Sequence, residues 1–142
     1  MNKIFTISLI YLILLGTFLH AEEHKPPISA EMFLSAVAAV EKKNFVEAVG
    51  LFSTLAEEGE PASQYNLSLL HYKGLGTPEN YKSALYWAWN ASLDGYEKAP
   101  SLVDEIREDV TDELITEVAQ SIIENLTEKA MSGDDNASIK LV

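Results

Sequence analysis

The 142-residue sequence contains no cysteine. Disulfides and a lipid-modified cysteine are therefore excluded, and the folded part must be stabilised by packing alone. Beyond the first 21 residues the only histidines are His24 and His71. A zinc site would then depend on carboxylates, so we expect no metal site and no cofactor.

Basic residues are also scarce, with 10 Lys and Arg against 22 Asp and Glu. The resulting net charge of −12 argues against nucleic acid or an anionic membrane surface as a partner. Acidic residues are densest over residues 104–117. This stretch is interpreted as a solvated helical face, with a docking surface for a basic partner as the alternative.

The N-terminus has the layout of a secretory signal peptide. Lys3 precedes an apolar run over residues 4–19, and the small residue Ala21 follows. The run is shorter than the roughly 20 residues of a membrane-spanning helix. We therefore predict a signal peptide over 1–21, a linker over 22–28 and export to the periplasm or the medium. The alternative is an uncleaved anchor in the inner membrane.

Two segments 36 positions apart, 45–59 and 81–95, share one pattern of apolar residues. Each predicts an amphipathic helix that ends at a glycine, Gly59 or Gly95, where a left-handed backbone is favoured. A partner helix precedes each segment, and a third pair follows. The predicted helices span about residues 29–42, 45–59, 61–73, 81–95, 97–109 and 112–131.

Polar residues stand where these helices begin. Asn44 with Glu47 predicts a capping box, and Asn80 and Thr111 predict single caps. Ser29 is likewise expected to cap the first helix, and Pro61 suits a first helical position.

No strand pattern competes with the helices, so the predicted fold is all-α. We expect a short right-handed α-solenoid of about three helical hairpins, because each hairpin leaves an apolar face that only a neighbour can bury. The acidic third hairpin would be the polar end cap, and residues 134–142 a flexible tail.

Residues 72–87, YKGLGTPENYKSALYW, contain two closely spaced glycines, Gly74 and Gly76. A phosphate-binding loop would follow a strand and carry a Lys-Ser/Thr pair. Here the glycines follow a predicted helix and no such pair is present. We therefore predict a tight reversal between two helices.

Residues 63–99, SQYNLSLLHYKGLGTPENYKSALYWAWNASLDGYEKA, resemble the Sel1-like repeat, a relative of the tetratricopeptide repeat. In this resemblance Asn80 replaces the Asp cap of the family, and small residues replace others of similar size. Residues 29–62 resemble a degenerate repeat and 97–133 a capping hairpin, so the expected repeat domain is 29–133. The positions that match the repeat signature are Tyr65, Leu67, Tyr72, Gly74, Gly76, Asn80, Ala84, Trp87, Ala91, Gly95 and Ala99.

The resemblance implies protein–protein interaction and no shared catalytic residues. It places Trp87 in the core and gives His71 the place of an aromatic residue. No nucleophile motif such as Gly-x-Ser-x-Gly occurs, so we expect no enzyme. The expected function is an exported adaptor that binds a protein or peptide, with self-association possible. The alternatives are an envelope enzyme acting on cell-wall or β-lactam substrates, and a stabilising subunit anchored in a membrane complex.

In related arrays the first helix of each hairpin lines the concave side. The predicted partner-binding residues therefore lie mainly on the central first helix. For two of them, Leu67 and Leu70, packing between hairpins is the favoured alternative. Trp89, two residues from Trp87, is expected to point elsewhere and to serve as an interface anchor. The complete set is Gln64, Asn66, Leu67, Leu70, His71 and Trp89.

Overall fold

The computed structural model describes residues 28–133 and Lys140, and every regular element within them is an α-helix. The predicted signal peptide, nearly all of the linker and most of the tail lie outside the described residues. None of the described helices combines the length and apolar content that crossing a bilayer requires. The helices are α1 (Ile28–Glu41), α2 (Phe45–Glu57), α3 (Pro61–Lys73), α4 (Tyr81–Leu93), α5 (Ala99–Glu108) and α6 (Asp112–Met131).

The helices pack in chain order. Helix α1 contacts α2, α2 contacts α3, α3 contacts α4, and α4 contacts α5. The last pair differs from the expected hairpin, because the backbones of α5 and α6 approach α4 more extensively than they approach each other. Helix α4 is therefore the element against which both acidic helices are placed.

Two clusters of buried apolar side chains hold these helices together. The first joins α1, α2 and α3, and contains Phe52, whose ring is fully buried and meets that of Phe33 edge to face at 5.9 Å. Small residues dominate the rest of that cluster and permit close helix approach. The second cluster joins α4, α5 and α6. Its buried members are Ala84, Leu85, Ala88, Leu102, Val103, Ile106, Val118, Ile122 and Leu126.

Two of the predicted helix caps are confirmed. The side chain of Asn80 accepts a hydrogen bond from the backbone N–H of Ser83 at 2.9 Å. Thr111 Oγ1 accepts one from the N–H of Leu114 at 3.4 Å. Both capping residues have the extended backbone that places a side-chain oxygen over the first turn.

Two other predicted caps are wrong. Asn44 forms no cap hydrogen bond to the backbone, and its Nδ2 donates instead to Glu47 Oε2 at 2.6 Å. The turn before α2 is tight, with φ of +59° at Lys43, and leaves Asn44 outside the extended region that a cap needs. Helix α1 begins at Ile28, so Ser29 lies inside the helix.

The cap of α3 was not predicted. Glu60 has an extended backbone, and its carboxylate accepts from the N–H groups of Ala62 and Ser63 at 3.1 and 2.5 Å. A negative charge at this end also complements the helix dipole. Pro61 occupies the first helical position, as expected.

The glycine pair reverses the chain, as predicted. Gly74 and Gly76 have φ of +62° and +73°. The N–H of Leu75 and the N–H of Asn80 donate to carbonyl oxygens of α3, at 2.9 and 3.0 Å, and close the reversal. Gly76 has a further role, because a Cβ added there would lie 2.3 Å from the carbonyl carbon of Phe45. The reversal therefore rests directly on the beginning of α2.

Candidate partner-binding groove

An open groove of about 780 Å³ lies where α2 and α4 end. Its lining comes from the last turn of α2 and the following residues, from the second half of α4, and from the C-terminal half of α6. Helix α3 contributes one side chain, that of Gln64. The second helices thus line this groove, whereas the first helix of each hairpin was predicted to line the binding face.

Gln64 is the predicted site residue that does line the groove, and it is 3% exposed. Its Nε2 donates to the carbonyl oxygen of Ala56 at 3.4 Å and to Asp94 Oδ2 at 2.9 Å. These two acceptors fix the orientation of the amide. Its Oε1 is buried and accepts no hydrogen bond from the described residues.

Two aromatic rings lie beside this amide in the lining. Tyr86 and Trp87 meet edge to face, with ring centroids 5.1 Å apart and planes at 82°. Trp87 is half-buried and packs against the first core cluster, in keeping with the core position that the resemblance implies. Part of its exposed surface lines the groove, and part lines a smaller pocket between α4 and α6.

Trp89 points in a different direction from Trp87, as predicted. It is half-buried against the second core cluster and does not line the groove. Residues two positions apart on a helix face different directions, so the two tryptophans of α4 meet different clusters. Trp87 therefore presents part of its ring to the groove, whereas Trp89 does not.

The charge that lines the groove is mainly negative where α2 and α4 end. Glu57, Glu58 and Asp94 stand at the carboxyl ends of α2 and α4, where the helix dipoles add negative potential. Two ammonium groups, those of Lys129 and Lys140, also line the groove. The ammonium of Lys140 forms an ion pair with Asp94 Oδ1.

Leu67 and Leu70 are 1% and 4% exposed and belong to the first core cluster. They offer no surface to a partner, so the alternative of packing between hairpins is correct for both. Asn66 is half-buried, and its Nδ2 donates to the carbonyl oxygen of Ala62 in its own helix at 2.8 Å.

His71 is half-buried, away from the groove lining. Its Nδ1 is buried and forms no hydrogen bond with the described residues. Burial lowers the pKa of the imidazole below its ordinary value of 6.5, so the neutral form is favoured near pH 7. The position suits a packed ring more than a general base.

Sequence reasoning missed Tyr86, Asn90, Leu93 and Asp94 as groove residues. Asp94 precedes the glycine that ends α4, and so has the sequence appearance of an ordinary helix terminus. Its meeting with Gln64, 30 positions earlier, depends on how α3 and α4 pack.

No cluster of three or more His, Cys, Asp or Glu side chains with the geometry to hold a metal ion occurs among the described residues. In comparisons with known proteins, the chain matches no protein-family model, no curated protein and no solved structure.

Proposed function

We propose that this chain is an exported adaptor that holds a segment of a protein partner in the groove between the ends of α2 and α4. The observation that carries the proposal is the open groove itself, which is lined by the paired rings of Tyr86 and Trp87 and by the exposed side chain of Leu93. The surface that Tyr86, Trp87 and Leu93 present suits an apolar side chain of a bound segment, since aromatic residues of this kind often anchor a partner.

The proposed architecture is a short right-handed α-solenoid of the Sel1-like type. The packing of α1 to α5 in chain order supports it. So do the fully buried alanines at signature positions Ala84, Ala91 and Ala99. Ser68, which stands where the family has glycine, is also buried and donates to the carbonyl oxygen of Ala84 at 2.7 Å. A small side chain there lets α3 approach α4 closely.

Site-specific photo-cross-linking tests the adaptor role. Leu93 lines the groove and is 43% exposed, so p-benzoylphenylalanine at that position faces a bound partner. Ile123 on α6 is 56% exposed outside the groove and is the matched control. We expect one protein to be cross-linked in intact cells from position 93 and not from position 123. Absence of any adduct specific to position 93 would contradict the proposal.

Export is tested by the mass of the protein recovered from the periplasmic fraction. We expect the measured mass to be that of a protein that lacks residues 1–21. A full-length species retained in the membrane fraction would favour the anchored alternative instead.

A further inference from the structure

The groove already holds a cationic group that belongs to the chain itself. Lys140 lines the groove, and its ammonium is paired with Asp94 Oδ1. Both side chains are well covered, at 27% exposed for Lys140 and 14% for Asp94. Lys140 therefore occupies a site, in contrast to the surface pair of Lys82 and Glu117, whose side chains are 53% and 58% exposed.

We propose that Asp94 and Gln64 form a recognition site for the ammonium group of a lysine side chain. Lys140 occupies this site in the free protein, and a lysine of the partner segment displaces it. This inference rests on the proposed adaptor function and specifies the chemistry of its partner.

A hydrogen bond from Gln64 orients the carboxylate of Asp94. Gln64 Nε2 donates to Oδ2 at 2.9 Å and is itself fixed by its contact with the carbonyl oxygen of Ala56. This arrangement orients the carboxylate and leaves Oδ1 for the incoming ammonium. A carboxylate that is largely removed from water and lacks a cation is unfavourable, so the site selects a positive group.

The negative charge around Asp94 also favours the binding of a cation. Asp94 ends α4, where the helix dipole already places partial negative charge, and Glu57 and Glu58 stand at the equivalent end of α2. An acidic residue at this end of a helix is destabilising unless a cation compensates it. Lys129 is the other ammonium in the lining, but the ion pair of Asp94 is with Lys140.

The sequence around Lys140 indicates which segments fit. It reads Ser-Ile-Lys-Leu-Val, a lysine between apolar residues. The aromatic faces of Tyr86 and Trp87 in the same groove suit apolar neighbours of a bound lysine. The partner class is therefore a protein segment with one lysine flanked by aliphatic side chains, and the strongly acidic chain attracts such a segment.

Occupation by Lys140 weakens the binding of a competing segment. A group on a short tether has an effective concentration in the mM range. If the site binds a free peptide with a Kd of about 100 μM, this competition weakens the observed affinity about tenfold. Removal of Lys140 should therefore increase the observed affinity for the peptide about tenfold.

The test uses fluorescein-labelled peptide NASIKLV, the sequence of residues 136–142, and its lysine-to-alanine version NASIALV. Fluorescence anisotropy measures their binding to the chain without its first 21 residues and to three variants of it. The variants are Lys140→Ala, the same change combined with Asp94→Asn, and Lys42→Ala as an exposed control outside the groove. Asp94→Asn keeps an acceptor for Gln64, and circular dichroism verifies that each variant is folded.

We expect Lys140→Ala to bind NASIKLV about tenfold more tightly than the unmodified chain, and Lys42→Ala to bind it equally. The added Asp94→Asn change and the NASIALV peptide should each weaken binding by tenfold or more, and salt should weaken the lysine-dependent part. Equal binding of both peptides, or no gain on removal of Lys140, overturns the lysine site. If the lysine site is overturned in this way but position 93 still cross-links one protein, the adaptor function remains supported. If the peptide binds as expected but position 93 gives no cross-link, the adaptor function is contradicted and the lysine site is not.

Discussion

Replacing Gly76 by alanine tests how the helix reversal is attached to the rest of the molecule. The backbone at Gly76 has φ of +73°, and an added Cβ would lie 2.3 Å from the carbonyl carbon and 2.4 Å from the carbonyl oxygen of Phe45. Real Cβ atoms do not approach other heavy atoms so closely. The atoms in the way are backbone atoms at the start of α2, so a rotamer change cannot relieve the contact.

Two costs add in this variant. A non-glycine residue with a left-handed backbone costs about 1–2 kcal/mol. Forcing the reversal away from α2 adds about 1–3 kcal/mol, as for other overpacked sites. The free energy of unfolding should therefore fall by about 2–5 kcal/mol, a large share of the roughly 5–15 kcal/mol typical of a domain.

Urea denaturation followed by far-ultraviolet circular dichroism measures this loss, and Gly95→Ala is the matched control. Gly95 has φ of +83°, but no atom lies within 4 Å of an added Cβ. The control therefore carries the conformational cost alone, about 1–2 kcal/mol. Equal losses in the two variants would refute the claim that the reversal rests on the backbone of α2.

Three further predictions concern stability. Asn80→Ala should lower the free energy of unfolding by about 1 kcal/mol, because a cap hydrogen bond is lost, whereas Asn44→Ala should change it by less than about 0.5 kcal/mol. Phe52→Ala should lower it by about 3–5 kcal/mol, because the ring is fully buried and leaves a cavity. Acidification below pH 6.5 should destabilise the protein through His71, since burial lowers the pKa of this group in the folded state and the unfolded chain then binds more protons. His71→Phe should remove that contribution.

Urea titrations of each variant at pH 7 check the first two predictions, and a series between pH 5 and 7.5 checks the third. A cost at Asn44 equal to that at Asn80 would contradict the cap assignment. A loss below about 1 kcal/mol for Phe52→Ala would mean that the first cluster closes around the missing ring. The histidine prediction fails if the His71→Phe protein loses as much stability as the unmodified protein over the same pH range.

Features that depend on neighbours in the chain were predictable. The helices follow from apolar residues three and four positions apart, and their ends follow from glycine and from capping side chains such as Asn80 and Thr111. These signals act within one or two helical turns. The same local reasoning missed the Glu60 cap, because Asn, Asp, Ser and Thr are the usual signals and Glu is not among them.

The candidate groove was far less predictable. The tryptophans of α4 are two positions apart, and the sequence indicated only that they face different directions. Which direction meets a groove depends on where α2, α3 and α6 lie around α4. The burial of Leu67 and Leu70 was easier to predict, because apolar side chains on a helix that lies between two neighbouring helices usually pack into the core.

The sequence by itself therefore determined the all-helical fold of residues 28–133, the order and approximate ends of the helices there, and a turn at Gly74 and Gly76. Those properties depend on backbone conformation and on contacts between near neighbours. Only the tertiary structure decided that Gly76 touches α2, and that Gln64, Asp94 and Lys140 meet in one groove. The two contacts of Asp94, with Gln64 and with Lys140, join residues 30 and 46 positions apart. Their geometry is set by helix packing that no local pattern encodes.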